Sequence, residues 1–241
     1  MNRYLVIFLF FIGLISQIFG SQNSDRIRQD IMYRELLDLG TNNYRNEDEL
    51  MQFIESTMET HLIPGLSVSV VKDDSIVWEK QLGYANIDDG IFVDDNTMFI
   101  LSSVSKTVTA TALMQLFENG LFELDDDIDN YLPFNVNHPD YPLVPITFKM
   151  LLSHSSGIKD NWNVMTYYDG DPELELSYYL NQYLTSEGEF YNSNLNFTNS
   201  MPGTNYTYTN NGVALIGLLV EEISNQAFNH YCSENIFEPL S

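Results

Sequence analysis

The spacing of hydrophobic and polar positions changes early in the chain, from a helical spacing to β-rich runs. Each stretch predicts a secondary-structure element. A helix is expected from Asn46, a favourable cap, because acidic residues and then apolar residues at helical spacing follow it. Pro64-Gly65 is expected to end that helix. Residues 66–71 and 76–82 are β-rich runs separated by the polar residues 72–75, a pattern typical of an antiparallel hairpin.

The pattern after the hairpin is mainly helical. Gly120 is placed to stop the first of these helices, and Thr147 is placed to cap the second. Residues 160–201 are rich in Tyr and Asn, and we interpret them as a lid-like segment that holds one helix. The predicted helices are 107–117, 147–152, 174–184, 212–222 and 226–237.

The N-terminus is typical of a secretory signal. Residues 1–20 combine Arg3, an apolar run and small residues near a cut after Gly20. A membrane anchor is the alternative, but Ser16 and Gln17 break the run before it is long enough to span a bilayer. We therefore expect a secreted or lumenal protein, with a polar leader at 21–45.

Charge and cysteine usage narrow the functional classes. The chain has 34 acidic and 10 basic residues, a formal charge of −24, which argues against nucleic acid or an anionic membrane surface as partner. The single cysteine, Cys232, excludes a disulfide scaffold and is expected in the core. Glycosylation sequons at Asn196 and Asn205 fit an extracellular route if the source organism glycosylates its proteins.

Ser103 and Lys106 are the first candidates for chemistry. Their spacing of three puts both side chains on one face of a helix, where a desolvated lysine can serve as the base that a serine nucleophile needs. The same pattern recurs at Ser69, in a predicted strand where residues three apart point to opposite faces, and at Ser156, before a glycine turn. Only Ser103 therefore meets the required geometry.

Other interpretations of these residues stay open from the sequence. Lys106 can be a surface lysine whose stem lies along the core, and Ser103 can simply cap the helix. Tyr208-Thr209-Asn210 lies on a turn before an apolar helix, where it can aim Tyr208 at the same site. The triplet by itself is weak evidence, because Tyr-x-Asn also begins at Tyr44, Tyr84 and Tyr179.

No metal site is indicated. The four histidines show no paired ligand spacing, and His154, after a short helix, is better interpreted as a structural, hydrogen-bonded residue. The acidic run 125–127 lacks the alternating ligands and the glycine of a calcium loop. We interpret that run as a solvated turn.

Several motifs in order resemble the serine β-lactamase-related family, with class C β-lactamases, D-alanyl-D-alanine carboxypeptidases and related esterases most similar. The resemblance runs from about Leu50 to the last residue, and it is specific because order and surroundings agree. The motifs are Ile63-Pro64-Gly65-Leu66, the hairpin, Leu82-Gly83-Tyr84-Ala85-Asn86, Ser102-Ser103-Val104-Ser105-Lys106-Thr107, Leu124-Asp125-Asp126, Leu151-Leu152-Ser153-His154-Ser155-Ser156-Gly157, and Pro202-Gly203 before Tyr208-Thr209-Asn210.

The resemblance implies an α+β fold of two subdomains, one an antiparallel sheet with flanking helices and the other mostly helical. It also implies a serine hydrolase that forms an acyl-enzyme with an amide or ester substrate. Ser103 would be the nucleophile, Lys106 and Tyr208 would share the proton transfers, and Asn210 would orient the substrate or Lys106. The Ser103 backbone N–H would stabilise the oxyanion, His154 would be structural, and no metal or cofactor is implied.

The chain also departs from the family. Members carry a third motif, Lys or His, then Thr or Ser, then Gly, on a later strand, whereas this sequence has no Lys or Arg after Lys159. We therefore expect a domain, residues 46–241, that lacks its C-terminal strands and is of doubtful catalytic competence. A non-catalytic binding protein on the same scaffold is the alternative. We also expect poor folding, or self-association through the uncovered strand 66–71.

Overall fold

The computed structural model describes residues 46–166 and 170–240, and the chain divides into two compact units between Leu101 and Ser102. The predicted signal and leader, residues 1–45, lie outside the described residues. Within the described part, no helix is long and apolar enough to cross a membrane.

The first unit opens with helix α1, Glu47–His61. Its predicted cap is confirmed, because the Asn46 side chain accepts a hydrogen bond from the Glu49 backbone N–H at 2.9 Å. The helix ends slightly before the predicted Pro64-Gly65 stop. Leu62 has a φ of 54°, and this left-handed residue turns the chain out of the helix.

The predicted hairpin is confirmed. Strands β1 (Gly65–Lys72) and β2 (Ser75–Asn86) pair antiparallel, and a short β3 (Ile91–Phe92) extends the sheet in the order β1-β2-β3. Asp73 and Asp74 form the turn with φ values of 50° and 59°, which suits a two-residue hairpin loop. Among the described residues β1 lies at a sheet edge, and its use for self-association stays a prediction.

The second unit is helical, as the pattern predicts. Its helices are α2 (Ser105–Glu118), α3 (Phe148–Leu152), α4 (Leu176–Leu184), α5 (Ser193–Asn196), α6 (Asn210–Ser224) and α7 (Phe228–Cys232). The predicted caps at Thr147 and Gly120 are confirmed: Thr147 accepts from the Met150 N–H, and Gly120 takes a φ of 70° beyond α2. The α+β class is therefore confirmed.

The helix predicted at 226–237 is present over residues 228–237, but it is not one regular α-helix. Helix α7 passes into a π-helical turn, Ser233–Phe237. The Gln115 side chain of α2 donates to the Asn235 backbone carbonyl at 2.9 Å inside that turn. Pro239 has no N–H that could reach the Asn235 carbonyl in an α-helical ladder, and the Gln115 amide supplies a donor in its place.

The core of the second unit forms between α2, α3, α4 and α6. Phe122 stacks on Phe148 with ring centroids 3.9 Å apart. The helix predicted within residues 160–201 is confirmed as α4, but the lid-like interpretation is wrong, because Tyr183 and Phe197 from that segment are fully buried in this core. These two aromatic side chains help to form the core, although the segment as a whole is polar in composition.

Two further sequence predictions concern single residues. Cys232 is 3% exposed and free, as expected, and burial raises the pKa of its thiol. Asn196 is fully buried, and its amide donates to the carbonyls of Tyr183 and Phe190. A glycan on Asn196 is therefore incompatible with this fold, whereas Asn205 is exposed.

Candidate active site

Ser103 lies on the 3-10 turn Ser102–Val104 that leads directly into α2. The chain enters this turn through Ser102, whose φ of 46° is unusual for a residue with a side chain. One turn later, Lys106 places its Nζ 3.4 Å from Ser103 Oγ. The predicted spacing thus brings the two side chains together on one face.

Tyr208 reaches the same serine from a distant part of the sequence. Its hydroxyl donates a hydrogen bond of 2.8 Å to Ser103 Oγ. Lys106 Nζ also lies 5.1 Å from the centroid of the Tyr208 ring, close enough for a cation–π contact. The structure therefore brings together Ser103, Lys106 and Tyr208 in one cluster.

The geometry bears on the alternative roles of these residues. The N-cap position of α2 is Val104, and no side chain caps the helix there, so the Ser103 hydroxyl is not a capping group. Lys106 is partly buried, and no carboxylate in the described part of the chain forms an ion pair with it. Its charge is directed instead at Ser103 and Tyr208.

Protonation decides what this cluster can do. In the arrangement observed, Ser103 Oγ accepts from the Tyr208 hydroxyl and lies within reach of the Lys106 ammonium. A serine hydroxyl becomes nucleophilic when a neighbour takes its proton, so Lys106 or Tyr208 must first lose its own. Once one of them is deprotonated, the Ser103 hydroxyl becomes the hydrogen-bond donor and that group becomes the acceptor.

Asn210 has a different environment from the one predicted. It is the first residue of α6, and its side-chain Nδ2 donates to Asp160 Oδ2 at 2.7 Å. The amide nitrogen is thus held by a carboxylate of the same unit. A contact between Asn210 and Lys106 or a substrate is not observed and stays a prediction.

Asp160 is the residue that the sequence analysis missed. Its carboxylate accepts hydrogen bonds from five donor groups at the start of α6: the Thr209 hydroxyl and, from both Asn210 and Asn211, the backbone N–H and the side-chain amide. A negative group at a helix N-terminus is also favoured by the helix dipole. No local motif marks Asp160, which is one of 34 acidic residues.

His154 packs against the face of Tyr208, with ring centroids 4.7 Å apart. Its Nδ1 accepts a hydrogen bond from the Thr209 backbone N–H at 3.3 Å, so the ring is neutral in this arrangement. Burial, followed by the positive charge of Lys106, lowers the pKa of His154, while Asp160 opposes the change. This geometry agrees with the structural role expected for His154.

The cluster is open to solvent within the described part of the chain. Ser103 is exposed, and Tyr208 is 43% exposed. The described residues contain no group of three or more His, Cys, Asp or Glu side chains that could hold a metal ion. The acidic run 125–127 instead serves local structure, with Asp126 accepting from the Tyr131 hydroxyl and Asp127 capping the short helix Ile128–Asn130.

Comparisons with known proteins bear on this arrangement. The Staphylococcus aureus (strain N315) protein named "Protein flp" is 24% identical over 208 residues, which cover 81% of this chain and 37% of that protein. A penicillin-binding protein homologue from Pyrococcus abyssi, described as octameric, superposes with a TM-score of 0.60 at 25% identity, covering 80% of this chain and 42% of the other.

A third protein is similar in fold. The D-amino acid amidase from Ochrobactrum anthropi, solved in complex with L-phenylalanine, gives a TM-score of 0.59 at 22% identity, over 76% of this chain and 47% of the amidase. The chain thus spans less than half the length of each of these three proteins. The family model described as beta-lactamase matches residues 50–241. The chain therefore belongs to the β-lactamase family.

Proposed function

We propose that this chain carries the nucleophile and the proton-transfer groups of a secreted serine hydrolase, which acts on an amide or ester through an acyl-enzyme. The observation that carries the proposal is the convergence on Ser103 Oγ of the Tyr208 hydroxyl at 2.8 Å and Lys106 Nζ at 3.4 Å. Membership of the β-lactamase family supports the same chemistry. The amidase activity named for the Ochrobactrum anthropi neighbour suggests amides among the substrates.

The acylation step needs Ser103 and one deprotonated neighbour. Ser103 Oγ forms a bond to the substrate carbonyl carbon, and its proton passes to whichever of Tyr208 and Lys106 is deprotonated. The C–N or C–O bond of the substrate then breaks, and the same proton leaves with the amine or alcohol. Water attacks the ester on Ser103 in the second half, which regenerates the serine hydroxyl and releases the acid.

The carbonyl oxygen needs hydrogen-bond donors as negative charge develops on it. The Ser103 backbone N–H is suited to this, because it lies at the start of the 3-10 turn that leads into α2. A second donor is expected in such sites, and loss of one donor typically slows catalysis about 10²- to 10³-fold. Acylation and hydrolysis of the acyl-enzyme both pass through such an oxyanion, so both steps depend on these donors.

A covalent probe tests the nucleophile without requiring turnover. Purified protein is treated with a fluorophosphonate or a penicillin, and the adduct is located by peptide mass spectrometry. We expect modification at Ser103 that is lost in Ser103→Ala. The matched control is Ser69→Ala, which removes an exposed serine from the same Ser-x-x-Lys pattern in strand β1 and should label normally.

The alternative is a non-catalytic binding protein on the same scaffold. A well-folded chain in which Ser103 stays unmodified by both probes at high concentration would contradict the hydrolase proposal and favour this alternative. Burst kinetics distinguish a third case. If Ser103 is labelled and one equivalent of leaving group is released without further turnover, acylation is intact and hydrolysis of the acyl-enzyme is defective.

Secretion is the part of the proposal that concerns cellular location. It is supported by the sequence of residues 1–20, whose polar start, apolar run and small residues are typical of a cleaved signal. N-terminal sequencing of the mature protein tests it. A first residue at or near Ser21 is expected, and an intact Met1 on cell-associated protein would contradict it.

A further inference from the structure

The chain on both sides of Tyr208 is held by one segment, residues 154–160. The Thr207 backbone N–H donates to the His154 carbonyl at 2.7 Å, and the Thr209 backbone N–H donates to His154 Nδ1. The Thr209 hydroxyl donates to Asp160 Oδ1 at 3.0 Å. Tyr208 itself is 43% exposed, so its position depends on these flanking contacts more than on packing.

Asp160 holds the residues that follow Tyr208, and its carboxylate acts only as a hydrogen-bond acceptor there. Each of its contacts at the start of α6 is with a donor, and both carboxylate oxygens are used. The Asn211 amide that it binds is oriented in turn by the Tyr179 hydroxyl of α4, at 3.0 Å. An asparagine at 160 would turn an NH₂ group toward donors, so it cannot replace the carboxylate.

His154 holds the chain on both sides of Tyr208, through its backbone carbonyl to Thr207 and its ring Nδ1 to Thr209, and it does so from a backbone position that suits glycine. It follows the last turn of α3, where its N–H bonds to the Leu151 carbonyl and the Ser155 N–H bonds to the Met150 carbonyl. This is a Schellman ending, in which the residue at the place of His154 is usually glycine because its φ is positive. His154 has a φ of 53°, a strained conformation of the kind that is retained where the side chain has a use.

From these contacts we infer that His154 and Asp160 are positioning residues, which hold the Tyr208 hydroxyl on Ser103 Oγ. The inference rests on the proposed function for its catalytic consequence, but the geometry it describes can be measured without catalysis. Neither residue contacts Ser103 in the structure, so each acts through the Tyr208 segment. A displacement of about 1 Å at a reacting group is enough to slow a reaction about 100-fold.

The test uses two variants of the whole chain and one control. Asp160→Asn replaces one of the two acceptor oxygens with an NH₂ donor. His154→Gly removes the ring and its bond to the Thr209 N–H but keeps the carbonyl that binds Thr207, and because it relieves the positive φ this variant is expected to fold. Asp129→Asn is the matched control. Asp129 is a partly buried carboxylate that accepts from the Val136 N–H at 2.8 Å, a single bond that an asparagine oxygen can keep.

Two readouts separate geometry from activity. The first is the rate at which Ser103 is modified by a fluorophosphonate, which should fall at least about tenfold in Asp160→Asn and His154→Gly and stay unchanged in Asp129→Asn. The second is ¹⁹F NMR of 3-fluorotyrosine incorporated at position 208. The parent should give one narrow resonance that shifts in Ser103→Ala, because that change removes the hydrogen-bond partner of Tyr208.

The ¹⁹F spectra decide the inference. In Asp160→Asn and His154→Gly the resonance should broaden or split and lose its response to Ser103→Ala, with the melting temperature of His154→Gly retained. A narrow resonance that still responds to Ser103→Ala in both variants would overturn the inference. If Ser103 is unreactive even in the parent while the ¹⁹F changes appear as expected, the hydrolase proposal fails and the positioning role stands.

Discussion

The two units of this chain differ most in what they bury. Between residues 46 and 101 only Gly65 and Val93 are buried, and α1 buries no residue at all. Helix α6 of the second unit alone buries eight residues, from Asn211 to Val220. Several apolar side chains of the hairpin are instead exposed, with Ile76 at 61% and Val77 at 57%.

The difference in burial shows that a segment with a clear local sequence pattern need not contribute to the buried core. The hairpin forms because its turn and its strand propensities are local, whereas the candidate site needs a core that fixes α2, α6 and the loop before α6. Ser103 and Tyr208 are 105 positions apart, and a contact of 2.8 Å between them requires that core. The candidate site and the core therefore lie in the same unit, and this contrast can be tested by mutation and by titration.

The largest expected effect is on Tyr208. Tyr208→Phe removes the hydroxyl that contacts Ser103 Oγ, so the rate of Ser103 labelling should fall about 10²- to 10⁴-fold, as for loss of a proton-transfer group. Tyr84→Phe is the matched control, because Tyr84 begins the same Tyr-x-Asn triplet in strand β2 of the first unit. Labelling rates within twofold of each other for the two variants would remove Tyr208 from the proposed chemistry.

The second prediction compares the two units in stability. Phe148 is fully buried and stacks on Phe122, so Phe148→Ala should lower the free energy of unfolding by about 3–5 kcal/mol. Val77→Ala changes an exposed position of β2 and should stay within about 0.5 kcal/mol. Urea unfolding followed by circular dichroism measures both. A Val77→Ala effect as large as that of Phe148→Ala would mean that the hairpin is covered in solution.

The sequence predicts the local features of this molecule well. The hairpin loop at Asp73-Asp74, the cap at Asn46 and the approach of Lys106 to Ser103 all depend on residues within a few positions of each other. Asp160 could not be predicted in the same way, because its partners are about fifty positions away. The buried Asn196 and the core role of Tyr183 were missed for the same reason, since only tertiary packing gives them their partners.

The third prediction concerns pH and is smaller. The pKa of His154 is lowered first by burial and then by Lys106, so His154 should titrate below about 6.5 in ¹H NMR. Lys106→Met should raise this pKa, and Asp160→Asn should lower it, because Asp160 opposes the effect of Lys106. If the pKa of His154 is the same in the parent and in both variants, His154 does not lie close to Lys106 and Asp160.

The same shift has a consequence for stability, and its sign follows from proton binding. A histidine whose pKa is lower in the folded state binds fewer protons there than in the unfolded chain, so acid favours unfolding. Burial likewise lowers the pKa of His138. We therefore expect the melting temperature to be independent of these two residues above about pH 6.5 and to fall below it. In His154→Gly part of that acid sensitivity should disappear.

The smallest effect is expected in the hairpin turn, and it tests how far the two units unfold independently. Asp74 has a φ of 59° at the second position of the loop, where glycine is preferred, so Asp74→Gly should stabilise the hairpin by up to about 1 kcal/mol. Amide hydrogen exchange measures this as slower exchange in β1 and β2. Asp74→Ala is the control, since it also removes the carboxylate but keeps the unfavourable φ, and it should not slow exchange. If amides of α6 slow by the same factor in Asp74→Gly, hairpin and core unfold as one cooperative unit, and the low burial of the first unit does not mark it as energetically separate.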